Sequence, residues 1–117
     1  MQLKKIEEFV DDQSVFAACV LDLNTNKLVT VGDPCEHGES LFNSLLGDQE
    51  KLDNMSSYIH GQIMPRFWSQ GDLSCALCLV KEDILVALFF LNEGFDSNTE
   101  YDYILLLDNK LKKLFAS

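Results

Sequence analysis

Leu73-Ser74-Cys75-Ala76-Leu77-Cys78-Leu79-Val80, then Lys81-Glu82-Asp83, then Ile84-Leu85-Val86-Ala87-Leu88-Phe89-Phe90-Leu91, is the stretch that decides the fold. Both runs are apolar at nearly every position. A strand with one wet face would alternate, so unbroken runs of this length predict strands covered on both faces. The three charged residues between them predict a tight turn. The result is a central antiparallel hairpin with other elements packed on each side of it. Neither run is long enough to cross a membrane as a helix, and the charges divide them.

Working outward toward the C-terminus, Ile104, Leu107, Leu111 and Leu114 recur at helical spacing and predict a last helix over 96–115. Ser97-Asn98-Thr99-Glu100 matches a capping box at its start, and Lys110, Lys112 and Lys113 complement the dipole at its end. Toward the N-terminus, Ser69-Gln70-Gly71-Asp72 reads as a turn, and 62–68 reads as a strand. Pro65 lacks a backbone donor, which places that strand at a sheet edge or gives it a local break. Before it, Leu41, Phe42, Leu45 and Leu46 form one helical stripe, and Leu52, Met55 and Ile59 continue it with Tyr58 alongside. Gly47-Asp48 interrupts the pattern, so 40–61 is one helix with a weak point or two helices in succession.

The first third adds a hairpin. Ser14–Leu23 reads as a strand, Asn24-Thr25-Asn26-Lys27 as a turn, and Leu28–Val31 as a second strand closed by Gly32-Asp33-Pro34. Leu3, Ile6, Phe9 and Val10 make 2–12 an amphipathic helix. Its lysines stand first and its aspartates last, against the helix dipole, so packing must hold it. The predicted order is α-β-β-α-β-β-β-α, an α/β (α+β) sandwich in one domain spanning 1–117.

Composition narrows the function. The net charge of −10, with a pI near 4.4, disfavours nucleic acid and anionic membrane surfaces. An apolar fraction of 47% with eight phenylalanines argues against disorder. The opening Met1-Gln2-Leu3-Lys4-Lys5-Ile6-Glu7-Glu8 has no apolar signal core, which reads as cytoplasmic, where thiols stay reduced. Cys75-Ala76-Leu77-Cys78 has the spelling of a zinc or redox pair, but inside a strand residues three apart point to opposite faces. Cys35 and His37 would join them only through a sharp bend of the chain. All four cysteines are therefore read as free thiols, with no metal and no cofactor. His37, His60 and the scattered carboxylates assemble no nucleophile, base and orienting group, and no glycine-rich phosphate loop is present, so no catalytic residue is assigned. Arg66, the only arginine, stands beside Phe67 and Trp68, the residue types enriched at interface hot spots.

With these elements in place, the chain resembles the roadblock family, the dynein light-chain type. The resemblance rests on the helix at 2–12, on Ala17-Ala18-Cys19-Val20-Leu21-Asp22 with its polar turn and Leu28-Val29-Thr30-Val31-Gly32-Asp33, and on the later strands and final helix. It implies a five-stranded antiparallel sheet with one helix on one face and two on the other. It also implies a non-enzymatic homodimer that acts as a scaffold or as a regulator of small GTPases, pairing through the middle helix and the strand after it. The matching segments are 40–61 and 62–69. Within them Leu52, Met55, Tyr58, Ile59, Ile63, Met64, Arg66 and Trp68 are the expected dimer or partner interface. An alternative from another class is a chaperone of the type III secretion kind, a small acidic dimer that wraps an extended effector segment.

Overall fold

The computed structural model describes residues 3–12, 14–59 and 65–116. In chain order the elements are α1 (Leu3–Asp12), β1 (Val15–Asp22), β2 (Lys27–Gly32), α2 (Ser40–Leu46), α3 (Gln49–Ile59), β3 (Arg66–Gln70), β4 (Leu73–Lys81), β5 (Ile84–Leu91) and α4 (Ser97–Ala116). The five strands form one antiparallel sheet in the order β2-β1-β5-β4-β3. The central hairpin is where its apolar runs required. β4 and β5 pair from Leu73↔Leu91 to Lys81↔Ile84, and β5 also pairs with β1.

Both faces of that hairpin are covered. Cys75, Leu77, Leu85, Ala87 and Phe89 turn to one face and pack under Leu41, Leu45 and Leu46 of α2 and Leu52 and Met55 of α3. Ala76, Cys78, Val86, Leu88 and Phe90 turn to the other and pack under Ile6 and Phe9 of α1 and Ile104, Leu107 and Leu111 of α4. The period-two alternation of a strand thus sends neighbouring residues into two separate cores. Ile6 is fully buried, so α1 is held by packing in spite of its charge order.

Of the two arrangements left open for the stripe over 40–61, the chain takes two helices in succession, Ser40–Leu46 and Gln49–Ile59. At Gly47 an added Cβ would lie 2.6 Å from the Asn43 carbonyl oxygen, so the chain turns too closely on α2 for a larger residue. Asp48 then restarts the helix, its Oδ1 accepting from the Lys51 N–H at 2.9 Å. The strand expected over 62–68 begins at Arg66, after Pro65, and runs on through Ser69 and Gln70, leaving Gly71-Asp72 as the turn. Residues 62–64 lie outside the described residues.

The capping box of the last helix is displaced by one residue. Asp96 is the cap, its Oδ1 accepting from the Thr99 N–H at 2.8 Å. That bond, from the backbone of Thr99, holds the Asp96 carboxyl below the usual carboxylate range. Glu100 faces inward instead and accepts from the Ser74 hydroxyl at 2.7 Å. At the other end, Lys112 pairs with Asp108 one turn earlier at 2.7 Å, and Phe115, buried at 3% exposure, takes the place expected for the half-buried Leu114.

Candidate interaction surface

β3 is an edge strand. It pairs with β4 from Arg66↔Leu77 to Gln70↔Leu73, and among the described residues no strand lies on its other side. Pro65, buried, precedes it. Alternation sends Trp68, opposite Cys75, to the face of α2 and α3, where it packs half-buried against their core. Phe67, opposite Ala76, points to the α4 face and stays 38% exposed. Arg66 is exposed at the strand's start.

Two hollows meet at Trp68. One, of about 300 Å³, lies between Ser44 and Leu45 of α2, Lys51, Asn54 and Met55 of α3, and Trp68. The other, also about 300 Å³, is lined by Pro65, Arg66, Phe67 and Trp68. An amphipathic indole stands between two grooves on a strand whose outer side no described strand covers. The edge holds an apolar anchor, a cation beside it, and a row of backbone donors and acceptors.

The expected interface residues fall into three groups. Arg66 and Trp68 are at the edge and accessible. Leu52 and Met55 are 8% and 6% exposed and belong to the chain's own core under the sheet. Tyr58 and Ile59 are placed in α3 by their backbone, with side chains outside the described residues, and Ile63 and Met64 lie outside them altogether. Leu41, Leu45 and Leu46 are likewise spent on the intramolecular core, so the apolar surplus of this region reduces to the half-buried Phe42 and Trp68 and the exposed Phe67 among the described side chains. Phe67 was noted in the sequence beside Arg66 and Trp68; Ser44, Lys51 and Asn54 were not singled out, because polar groove residues carry no periodic signal.

The thiols offer little chemistry. Cys75 lies in the core beneath α2 and α3 and Cys78 in the opposite one, so the pair spans the sheet. Burial pushes the Cys19 thiol up to about 12, and raises Cys75 and Cys78 well above the usual value. Cys35 is raised as well, by desolvation and by Asp33 and Glu39. Thiolate, the form that attacks or binds metal, is therefore disfavoured at neutral pH. Among the described residues no three of His, Cys, Asp and Glu converge as metal ligands. His37 stacks edge-on against Phe16 with ring centroids 4.7 Å apart, which is a packing role. No described helix is long and apolar enough to cross a membrane.

No protein-family model and no curated protein matches the chain. Solved structures do. MglB of Myxococcus xanthus superimposes with a TM-score of 0.56 at 16% identity, over 99% of this chain and 98% of that one. MglC of Myxococcus xanthus superimposes with a TM-score of 0.54 at 14% identity, over 97% and 98%. At such identities the likeness is one of fold, and it extends along essentially the whole chain. That fold is of the roadblock/longin type, as the element order implied.

Proposed function

We propose that this chain is a non-enzymatic roadblock-like interaction domain of the cytoplasm, that it forms a homodimer, and that the dimer serves as a scaffold or regulator of a small GTPase. The observation that carries the reading is the open outer edge of β3 with Trp68 standing between two grooves beside it. Two copies related by a two-fold axis would pair β3 with β3, joining the two sheets, and each would seat its Trp68 region against the other's α2 and α3.

The size of the surface allows this. An interface of ordinary size takes roughly 800 Å² from each partner, a modest part of the 6361 Å² that the chain exposes. Apolar burial contributes roughly 25 cal/mol per Å². Repulsion between two chains of charge −10 opposes it but is screened over about 8 Å in physiological salt. Support for the GTPase role comes from the family resemblance and the shared fold. Support for a non-enzymatic role comes from the raised thiols and from the lack of a catalytic constellation in the sequence.

Affinity purification of the tagged full chain from its own cells, with partners identified by mass spectrometry, tests the GTPase role. A folded small GTPase retained in stoichiometric amount is the expected result. Recovery of an extended secreted segment instead would place the chain with the secretion chaperones.

A further inference from the structure

The sheet has a second open edge, and it is built differently. β2 pairs with β1 over its whole length, from Asp22↔Lys27 to Ala17↔Gly32, without a bulge. No described strand lies on its other side. Alternate residues of such a strand turn their N–H and C=O groups away from the sheet. Protein edges are ordinarily blunted by proline, by a bulge or by charge. β3 has Pro65 at its start, whereas the only such device in β2 is Lys27 at its first position. Leu28 and Val31 are half-buried against opposite faces and Thr30 is exposed, so the strand is regular, apolar at Leu28, Val29 and Val31, and partly accessible.

The rim is acidic. α1 packs on β1 and reaches β2, with Glu7, Glu8 and Asp11 exposed on it. Asp33 follows the strand, and Asp53 of α3 stands at its start, accepting from the Asn26 side chain. These carboxylates outnumber the neighbouring Lys4, Lys5 and Lys27, and the whole chain adds a field of −10. A second copy brought to this edge would set one acidic rim against another. A basic strand would meet complementary charge on both faces of the sheet.

We propose that the outer edge of β2 accepts an extended, basic segment of a partner protein as a sixth strand. Main-chain hydrogen bonds to β2 supply affinity, and the surrounding carboxylates select the charge of the guest. The site is separate from β3 and does not depend on dimerisation there.

The probe is a capped peptide of alternating valine and lysine, somewhat longer than the roughly six residues of a typical strand, with its valine–glutamate counterpart as control. Amide exchange of the full chain is followed by NMR. The lysine peptide slows exchange of alternate β2 amides, leaves β3 amides unchanged, and binds at least tenfold more tightly than the control. Raising the salt weakens it. Val29→Pro and Thr30→Pro are made singly, because one of the two removes an outward donor and leaves the β1–β2 ladder whole; the variant that stays folded loses binding. The exposed double variant Glu7→Lys/Glu8→Lys weakens it severalfold without touching the ladder. Equal binding of both peptides, or no protection within β2, overturns the proposal. So does concentration-dependent protection of β2 in the chain alone, which would make it an edge for self-association.

Discussion

Trp68 stands directly across from Cys75 in the β3–β4 ladder. The cysteine is fully buried, while the indole one strand farther out is half-exposed between two grooves. The boundary between core and candidate interface therefore runs between two adjacent strands. It separates substitutions that should weaken the proposed dimer from those that should unfold the chain.

Trp68→Ala is expected to weaken self-association by roughly 30-fold or more, the loss of a central anchor of about 2 kcal/mol. Its unfolding midpoint in urea should move far less than that of a core variant. Lys27→Ala, on the opposite edge, should leave the dimer constant unchanged. Sedimentation equilibrium on the three chains makes the comparison; equal constants for all three would remove Trp68 from the interface.

Met55→Asp should behave differently. Met55 is 6% exposed within the core under α2 and α3, so an aspartate there buries an unpaired charge. A loss of roughly 3–5 kcal/mol is expected, read as a large fall in the urea midpoint. A variant as stable as the parent would show that α3 does not pack on the sheet as described.

Ser74 anchors a buried polar knot. Its hydroxyl donates to Glu100 at 2.7 Å, accepts from the Asn92 side chain at 2.8 Å, and lies 2.8 Å from the Ser69 hydroxyl. Ser74→Ala strips Glu100, a buried carboxylate, of that donor, for a cost of about 1–3 kcal/mol. Ser74→Ala combined with Glu100→Ala should cost less than the sum of the single changes, since each alone already removes the same bond. Chemical denaturation of the four chains reads the coupling, and strict additivity would argue against the bond.

Much of this was legible in the sequence because burial on both faces writes itself as an unbroken apolar run. Leu73–Val80 and Ile84–Leu91, with the short charged turn between them, read as a central hairpin, and they form one. The break at Gly47-Asp48 was visible as an interruption, yet choosing two helices over one required the close approach to Asn43. The cap at Asp96 was missed because Ser97 and Glu100 also satisfy a capping box by spelling, and only the burial of Glu100 against Ser74 decides between them. Leu52 and Met55 were legible as a buried stripe but not by which surface buries them. A helical periodicity reads the same against the chain's own sheet as against a second copy.

The cysteines give a pH signature. Burial raises Cys19 to about 12 from the ordinary 9.0, so between those values the unfolded thiol has lost its proton and the folded one has not. Folding then takes up a proton, and stability falls as pH rises, by about 1.4 kcal/mol per pH unit for a full proton. Cys19→Ala should flatten the decline between pH 9 and 12 by as much as that one proton. Urea unfolding at several alkaline pH values measures it; an unchanged slope would mean that the thiol is not buried as described.

The central claim is a homodimer built on the β3 edge, and sedimentation velocity of the unmodified chain is its most direct test. At micromolar concentration and physiological salt, the account predicts a species of twice the 13.3 kDa chain mass that dissociates on dilution. A single 13.3 kDa species at every concentration would contradict it, and would leave Trp68 as an ordinary edge residue of a monomer.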